Sequence, residues 1–411
     1  MTKMIKVRQD FNRDHIKNVE EKVKQEIENS GVKIAKGSSI AIAVGSRGVA
    51  NIHRVVKATV ETIKGMGGIP FIVPAMGSHG GATAKGQKEV LESYGVTEAY
   101  VGAPIKSSMQ VVELPNDGIV NSVYMDKNAY EADGTIIINR IKVHTDFHSS
   151  TESGLIKMCV IGLGKHKQAL AIHRYRVYGL KNLILPTARQ VLKHGNILLG
   201  IGLVENAYDE TAIIKAILPE KLEEEELKLL QYNRTHMPSI PVSQLDVLLV
   251  DEMGKDISGV GIDTNIIGRI GIQSETAPES PKITNIVVSD LTEASHGNAL
   301  GMGLAEFITK KLFNKIDFKA TYENVITSTF LDRGKMPIVA DTDLQAFQYA
   351  IRTCGPIEIE KARVIRIKNT LHLSEIYVSP AVLEEIKDKQ NITILENPKD
   401  IFTEEGQFTK F

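Results

Sequence analysis

Short apolar runs rich in β-branched residues recur along this chain, and each ends in a glycine-rich or polar turn before a helical pattern begins. Runs of this kind are typical of strands that are buried on both faces of a parallel sheet. Strand followed by helix, repeated along the chain, predicts α/β units around mostly parallel sheets. The runs are SSIAIAVGSRG (38–48), IPFIVPAMGSHGG (69–81), GTIIINRIKVHTDF (134–147), NILLGIGLVENAY (196–208), LDVLLVDEMGKDISGVG (245–261) and KITNIVVSDLTEASHGNALGMG (282–303).

The segment between the first two runs carries the clearest helical pattern. Its sequence, VANIHRVVKATVETIKGMGG (49–68), places apolar residues three or four positions apart, so that they share one face of a helix. Two glycines near its end supply a usual helix stop. The apolar stripe consists of Ile52, Val56, Val60 and Ile63, and the terminating glycines are Gly65 and Gly67.

A chain of 411 residues is long enough for two or three domains. The segment NRTHMPSIPVSQ (233–244) contains two prolines and separates an acidic helical pattern from the next strand-like run. We therefore predict two α/β domains, 1–238 and 239–411, with an active-site cleft between them. The acidic run Glu223 to Glu226 predicts a solvated helix face.

Composition excludes several classes of function. The 49 basic residues balance 50 acidic ones, and tryptophan is absent, so neither charge nor stacking surface favours nucleic acid. No stretch reaches the roughly 18 apolar residues of a membrane span, and the first residues do not resemble a signal peptide. We therefore expect a cytoplasmic protein without membrane or nucleic-acid partners.

Only two cysteines are present, Cys159 and Cys354. Two thiols cannot supply the four ligands of an iron-sulfur cluster or of an all-cysteine zinc site. Any metal chemistry must therefore rely mainly on histidine or carboxylate. Cys159 lies in an apolar run, where a thiol packs as a small apolar group.

Three polar side chains directly follow predicted strands: Arg47, His79 and His144. Ligands of open α/β sheets bind beyond the carboxyl ends of strands, so these residues are expected to converge on one site. The sequences GSRG (45–48) and GSHGG (77–81) add backbone amides that can approach an anion closely, although each is also typical of an ordinary turn.

Each of these side chains has a chemical and a structural interpretation. Arg47 suits a substrate carboxylate, which it can bind through two hydrogen bonds, or a surface ion pair. His79 and His144 suit a general acid and base because imidazole titrates near neutrality, or they make local loop hydrogen bonds. His144 and His148 have the spacing of a zinc pair, but the segment lacks the glutamate of the motif H-E-x-x-H.

Lys157 stands inside the apolar run LIKMCVIG (155–162). A lysine in such surroundings is a neutral nucleophile, carries a covalent group, or extends its ammonium past a packed stem into water. The residues alone leave these three interpretations open. Lys165 and Lys167, a few positions later, are predicted to be exposed or to face an anion.

Taken in order, these segments resemble the nickel-pincer lactate racemase family. The resemblance runs through GSRG, GSHGG, NRIKVHTDF, ESGLIKMCVIGLGK and the AIH that ends at His173. It continues in SGVGIDTNIIGR (258–269) and HGNALGMG (296–303), and so spans most of the chain. Its specificity lies in the order of the segments and not in any single motif.

The resemblance implies a nickel ion held in a pyridinium-derived mononucleotide that offers two sulfur donors and one carbon donor. By this resemblance, Lys157 carries the nucleotide through a thioamide, and His173 is the protein ligand of nickel. His79 and His144 become the paired acid and base, and Arg47 anchors the substrate carboxylate. A planar pincer with one imidazole suits square-planar Ni(II).

The implied activity is a racemase or epimerase that inverts C2 of a 2-hydroxy acid, with cofactor-building proteins as partners. Two differences from the lactate racemase favour a substrate other than lactate. The gap between His144 and Lys157 is longer than in the lactate racemase, and the residues before Lys157 differ from its glycine- and proline-containing approach. Candidates for substrate contact in the second domain, by position, are Glu293, His296 and Asn298.

Two other functions are compatible with the residues. The first is a histidine-based zinc or iron hydrolase or lyase, in which Asp146, Asp290 or Glu293 supplies carboxylate ligands and Lys157 is unmodified. The second is a non-catalytic protein that binds a small anion in GSRG and GSHGG. In that case substitution of His79 affects affinity alone.

Overall fold

The computed structural model describes residues 3–45, 48–273 and 275–411. The chain folds into two compact units. Unit A is Asn12–Met237, and unit B combines the segment before Asn12 with Pro238–Phe411. The N-terminal segment thus differs from the predicted division, which assigned it to the first domain.

The strands lie where the apolar runs predicted them, and every one of the six runs contains a strand of the structure. Additional short strands complete the sheets. The strands are β1 (Ile5–Gln9), β2 (Ser39–Val44), β3 (Ile69–Pro74), β4 (Val111–Leu114), β5 (Val123–Asp126), β6 (Gly134–Arg140), β7 (Ile197–Glu205), β8 (Thr211–Ile217), β9 (Gln244–Met253), β10 (Lys282–Leu291), β11 (Phe307–Thr309), β12 (Ile338–Ala340), β13 (Val364–Ile367), β14 (Glu375–Val378) and β15 (Ile392–Ile394).

Helices connect most of these strands, and several are only one turn long. The α-helices are α1 (Val19–Ser30), α2 (Ile52–Gly65), α3 (Ala84–Ser93), α4 (Glu98–Val101), α5 (Lys127–Tyr130), α6 (Leu155–Lys157), α7 (Lys165–His173), α8 (Arg176–Tyr178), α9 (Ile184–His194), α10 (Leu222–His236), α11 (Thr264–Ile267), α12 (Lys310–Phe313), α13 (Phe318–Ser328), α14 (Asp343–Arg352) and α15 (Pro380–Ile386). π-helical turns at Met158–Gly162 and Gly179–Leu183 interrupt the helical region of unit A.

Unit A is built on a five-stranded sheet in the order β3-β2-β6-β7-β8. All pairs are parallel except β7 with β8. The chain passes from β2 to β3 on one side and later places β6 on the other side of β2. The order therefore reverses at β2, and a reversal of this kind opens the crevice in which α/β proteins bind ligands.

The helix predicted between β2 and β3 is confirmed as α2. Its apolar stripe is buried and belongs to a core cluster of unit A, together with alternate side chains of β2 such as Ile42 and Val44. A glycine pair follows the helix and lets the chain enter β3. The stripe residues Ile52, Val56, Val60 and Ile63 are all at most 5% exposed.

Unit B contains an eight-stranded sheet in the order β12-β11-β10-β9-β13-β14-β1-β15. The five strands from β12 to β13 are parallel, and the remaining pairs are antiparallel. Strand β1 inserts between β14 and β15, so its backbone hydrogen bonds are made with unit B. This pairing explains why the N-terminal segment leaves unit A. The predicted α/β class with mostly parallel sheets is confirmed.

Among residues 3–45, 48–273 and 275–411, no helix combines enough length with enough apolar character to cross a bilayer.

Candidate active site

Lys157 ends helix α6, and the chain continues from it into the π-helical turn that leads to α7. Its neighbours Leu155, Ile156 and Cys159 are fully buried, whereas Lys157 is only partly buried. The apolar run therefore forms the wall behind the lysine, and the amine keeps access to its surroundings. π-helical turns are rare and occur frequently at functional sites.

The amine of Lys157 meets the imidazole of His144. Lys157 Nζ lies 2.6 Å from His144 Nε2. The ring of Phe147 lies beside both side chains. Its centroid is 5.8 Å from Lys157 Nζ and 4.5 Å from the centre of the His144 ring. Two of the residues that the sequence singled out are thus in direct contact beside an aromatic wall.

Hydrogen bonds to its backbone N–H and to its ring nitrogen Nδ1 hold His144 in the loop after β6. The backbone N–H of His144 donates to Glu152 Oε2 at 2.5 Å, and Arg234 Nη2 donates to Glu152 Oε1 at 2.6 Å. Glu152 is 1% exposed, so this anchor is shielded from water. The backbone N–H of Asp146 donates to His144 Nδ1 at 3.0 Å, and Asp146 Oδ2 lies 3.9 Å from the same nitrogen. Together these contacts orient Nε2 toward Lys157.

His173 is the last residue of α7 and remains accessible at the surface. Desolvation by the surrounding protein is the main cause that lowers the pKa of His173; a charged Lys157 would lower it further, whereas Asp146 acts in the opposite direction. A lowered pKa keeps the imidazole neutral, which is the form that binds a metal. His173 therefore shares the electrostatic surroundings of Lys157 and Asp146.

His79 lies on the exposed loop after β3. Gln87 Nε2, on α3, donates to the carbonyl oxygens of Gly77 at 2.9 Å and of His79 at 3.3 Å. Gly77 has a φ of +59°, and a Cβ at this position would lie 2.9 Å from Cγ2 of Ile161. The His79 loop thus packs closely on the π-helical turn that follows Lys157.

Lys165 was predicted to be exposed or to face an anion; it is not exposed, and the anion that it faces is a carboxylate of the protein itself, that of Asp126. Lys165 is completely buried at the start of α7. Its Nζ donates to the carbonyl oxygen of Pro74 and to Gln87 Oε1 at 3.2 Å, and it forms a 3.1 Å ion pair with Asp126 Oδ2. Burial lowers the pKa of Lys165 and raises that of Asp126, and the attraction between the two charges opposes both shifts. Lys167, by contrast, is exposed as predicted.

The Lys165 contacts link two parts of the candidate site, the helix that carries His173 and the loop that carries His79. Lys165 begins the helix that ends at His173, and through Gln87 it reaches the loop of His79. A buried charge with several oxygen partners keeps these elements in one arrangement, because breaking any contact leaves a polar group without compensation.

The acidic run Glu223 to Glu226 was predicted to be a solvated helix face, and this is wrong for its last member. Glu226 is 1% exposed on α10. Its Oε2 accepts from the backbone N–H of Ile156 at 2.9 Å, so the carboxyl caps the start of α6. Burial raises the pKa of Glu226 to about 7. A Cβ on Gly154 would lie 2.4 Å from Glu226 Cδ, so the glycine makes room for this carboxyl.

The other predicted site residues are Arg47 and three residues of unit B. Arg47 and its neighbour Ser46 lie outside the described residues. In unit B, Glu293 forms a 2.9 Å ion pair with Lys315, and Asn298 Nδ2 donates to Asn324 Oδ1 at 3.3 Å. His296 is exposed in a left-handed conformation with a φ of +47°.

The carboxylates of the alternative metal site take part in other contacts. Asp290 forms ion pairs with Lys315 at 3.0 Å and Lys311 at 3.5 Å. Within the described part of the chain, no three histidine, cysteine, aspartate or glutamate side chains are grouped as a metal site requires. The thiol of Cys159 is buried, as predicted, and burial raises its pKa.

The sequence analysis did not identify two polar residues that hold the loops of the candidate site in place. Gln87 lies within an ordinary helical pattern, and Glu152 follows a polar loop. Neither has a motif of its own, since their importance comes from contacts with residues far along the chain. A buried polar residue on an otherwise apolar face would have been the only signal, and burial is not visible in a single sequence.

Comparison with known proteins gives a consistent fold. A family model described as a domain of unknown function, DUF362, matches residues 42–218. The lactate racemase apoprotein from Thermoanaerobacterium thermosaccharolyticum is similar with a TM-score of 0.52 at 13% identity, over 90% of this chain and 98% of that one. A Thermotoga maritima structural-genomics protein is similar with a TM-score of 0.51 at 11% identity, over 85% and 95%. No curated protein matches. The chain therefore has a lactate racemase-like α/β fold.

Proposed function

We propose that this chain is a racemase or epimerase that inverts C2 of a 2-hydroxy acid, and that it carries a nickel-pincer nucleotide on Lys157 with His173 as nickel ligand. The observation that carries the proposal is the 2.6 Å contact between Lys157 Nζ and His144 Nε2. In this contact, a lysine that can be acylated lies next to a histidine that can transfer protons. The lactate racemase-like fold supports the same assignment.

The donor groups of the chain suit this cofactor. Lys157 is partly buried against an apolar wall, where an acylated, uncharged side chain is better tolerated than an ammonium. His173 is accessible, and its lowered pKa keeps it in the neutral form that nickel requires. When bound, the nucleotide would supply a hydride acceptor for the poorly acidic hydrogen on C2.

His144 and His79 would move the proton of the substrate hydroxyl. The hydroxyl occupies different positions in the two enantiomers, so one histidine serves each. His144 accepts a proton at Nε2 only when its other proton is on Nδ1. In the unmodified protein the backbone N–H of Asp146 donates to Nδ1, so a proton there requires this N–H to move away and the Asp146 carboxylate, 3.9 Å from Nδ1, to accept in its place. His79, held by Gln87, serves the other enantiomer.

Arg47 is proposed to bind the substrate carboxylate through two hydrogen bonds. Replacement by lysine keeps the charge and removes the paired geometry, so Arg47→Lys is expected to raise KM at least ~10-fold with a smaller change in kcat. Because the segments around Lys157 differ from those of the lactate racemase, the substrate search should extend to larger and polyhydroxylated 2-hydroxy acids.

The proposal is tested by loading the protein. The chain is co-expressed with proteins that build the pincer nucleotide, and bound nickel and the mass of the Lys157 peptide are measured together. We expect a nucleotide-sized adduct on Lys157 and about one nickel per chain. An unmodified Lys157 without nickel, in a preparation where a known pincer enzyme loads normally, would refute the cofactor assignment.

Substitution of His79 separates the competing functions. In the loaded protein, His79→Ala is expected to abolish inversion while the Lys157 adduct and nickel are retained. A zinc or iron hydrolase would keep its activity when Lys157 is replaced by methionine. A non-catalytic anion-binding protein would show a change in ligand affinity and no turnover in any variant.

A further inference from the structure

Two contacts of His144 bear on its protonation state. The backbone N–H of Asp146 can only donate, so His144 Nδ1, at 3.0 Å, accepts and carries no proton. A neutral imidazole with a bare Nδ1 carries its proton on Nε2. Lys157 Nζ lies 2.6 Å from Nε2 and must therefore accept a hydrogen bond. An ammonium has no lone pair, and only the uncharged amine can do this.

We propose that Lys157 is an uncharged, nucleophilic amine in the unmodified protein, held by His144 Nε2–H, and that acylation of Lys157 switches His144 to its other tautomer. The proposal deepens the proposed function and rests on it for its biological meaning. Among the described residues, the groups near the pair that can carry a charge include Asp146 and Glu152 on the same loop, Arg234 on α10 and His173 on α7.

The chemical step is an acyl or thioacyl transfer. The Nζ lone pair forms a bond to the carbon of an activated acyl group, and the bond from that carbon to the leaving group breaks. The leaving group takes the electron pair of the broken bond and one proton from Nζ. The products are a Lys157 amide or thioamide and the protonated leaving group. An amine that is already uncharged begins this reaction without first losing a proton.

Acylation reverses the hydrogen bond between the two residues. An amide nitrogen donates through its N–H and does not accept, because its lone pair is delocalised into the carbonyl group. Facing such a donor, His144 Nε2 becomes an acceptor, and the imidazole proton moves to Nδ1. This form requires the backbone N–H of Asp146 to release Nδ1, and the Asp146 carboxylate, 3.9 Å from Nδ1, then accepts the hydrogen bond instead. Attachment of the cofactor would thus convert His144 from a donor into a base.

The first experiment measures the reactivity of Lys157 without any cofactor. The apoprotein is treated at pH 7 with limiting acetic anhydride, and acetylation of each lysine is followed by peptide mass spectrometry. Lys85, whose side chain is 89% exposed, is the reference. An ordinary lysine is uncharged in only about one molecule in 2,500 at this pH. We expect Lys157 to react at least ~10-fold faster than Lys85, and equal or slower reaction would overturn the proposal.

Variants of His144 test the source of this reactivity. His144→Ala is expected to bring the Lys157 rate to that of Lys85, and His144→Gln, whose amide can donate, to restore part of the difference. His166→Ala, on α7, is the matched control and should leave the rate unchanged. Thermal unfolding is recorded for all three, so that a misfolded variant is recognised. A fast Lys157 in the folded His144→Ala variant would show that the histidine plays no part.

The second experiment observes the tautomer directly. Long-range proton–nitrogen NMR spectra of ¹⁵N-histidine distinguish a protonated Nε2 from a protonated Nδ1. We expect the Nε2–H form of His144 in the unmodified protein and the Nδ1–H form when N-acetyl-lysine is incorporated at position 157. An unchanged tautomer after acylation would refute the switch. Neither experiment uses nickel or nucleotide. Failure of the racemase proposal would therefore leave both results valid, and failure of these experiments would leave the racemase proposal intact.

Discussion

Lys157 Nζ and His144 Nε2 lie 2.6 Å apart, and the two residues come from different elements: the helix α6 and the loop after β6. The contact places a potential covalent tether against a potential proton carrier. A lysine that only extended into water would not need a histidine with an anchored ring. Of the other candidate residues in unit A, His173 shares the electrostatic surroundings of Lys157.

His173 should be needed for nickel binding but not for covalent attachment of the nucleotide to Lys157. In protein loaded by co-expression, His173→Ala is expected to lower bound nickel at least ~10-fold while the Lys157 adduct persists, because the imidazole is the proposed protein ligand. Metal content and peptide mass measured on the same sample check this. His166→Ala, on the same helix, is the control. Equal nickel in the two variants would contradict the assignment.

The buried pair of Lys165 and Asp126 should contribute strongly to folding. Lys165→Met leaves Asp126 buried without its partner, which destabilises a protein by about 3–5 kcal/mol. The double variant Lys165→Met/Asp126→Asn should be less destabilised than the sum of the single variants, since no charge is left unpaired. Urea unfolding of the four proteins measures the free energy of unfolding. Additive effects would show that the pair is not coupled.

Glu226 should make stability depend on pH. Its pKa in the folded protein, about 7, lies above the ordinary value of 4.5. Between these values the folded protein holds a proton that the unfolded chain releases, so the free energy of unfolding falls as pH rises, by about 3 kcal/mol in total. Glu226→Gln should remove this part of the slope. Denaturant unfolding from pH 4.5 to 8 tests it, and identical slopes in both proteins would contradict the prediction.

Two glycines beside His79 provide a matched comparison. Gly80 and Gly81 both have positive φ, near +63° and +62°, but a Cβ on Gly80 would lie 2.4 Å from the backbone of Gly86, whereas none of the described atoms lies within 4 Å at Gly81. Gly81→Ala should cost about 1–2 kcal/mol of backbone strain. Gly80→Ala should also displace His79 and reduce inversion at least ~10-fold. The free energy of unfolding and kcat are measured for both, and equal kcat values would count against a positioned His79.

The main secondary structure of both units was predictable, because β-branched apolar runs and three- or four-residue spacing follow directly from how strands and helices expose their side chains. Strands β2, β3 and β6 and helix α2 illustrate this. The placement of His79 and His144 at the ends of β3 and β6 was predictable for the same reason. Their position relative to each other was not predictable, since it depends on the order of strands in the sheet, which places β3 and β6 on either side of β2.

Lys165 and Glu226 show what local sequence cannot reveal. Both stand among polar or charged neighbours that suggest a solvated position, yet both are buried. Each is tolerated in the interior because partners distant in sequence satisfy it: Asp126 and Gln87 for Lys165, and the N–H of Ile156 for Glu226. The pairing of β1 with β14 and β15 is a similar case, because hydrogen bonds between strands carry no local signal.

By itself, the sequence determined the α/β class, the positions of the principal strands and the residues able to carry acid, base and nucleophilic chemistry, because these depend on side-chain type and short-range spacing. Only the tertiary structure decided which of these residues meet, that Lys157 faces His144, and which charged groups are buried. Contacts of that kind depend on how the sheet is ordered and packed, and packing brings together atoms whose separation along the chain has no fixed relation to their distance in space.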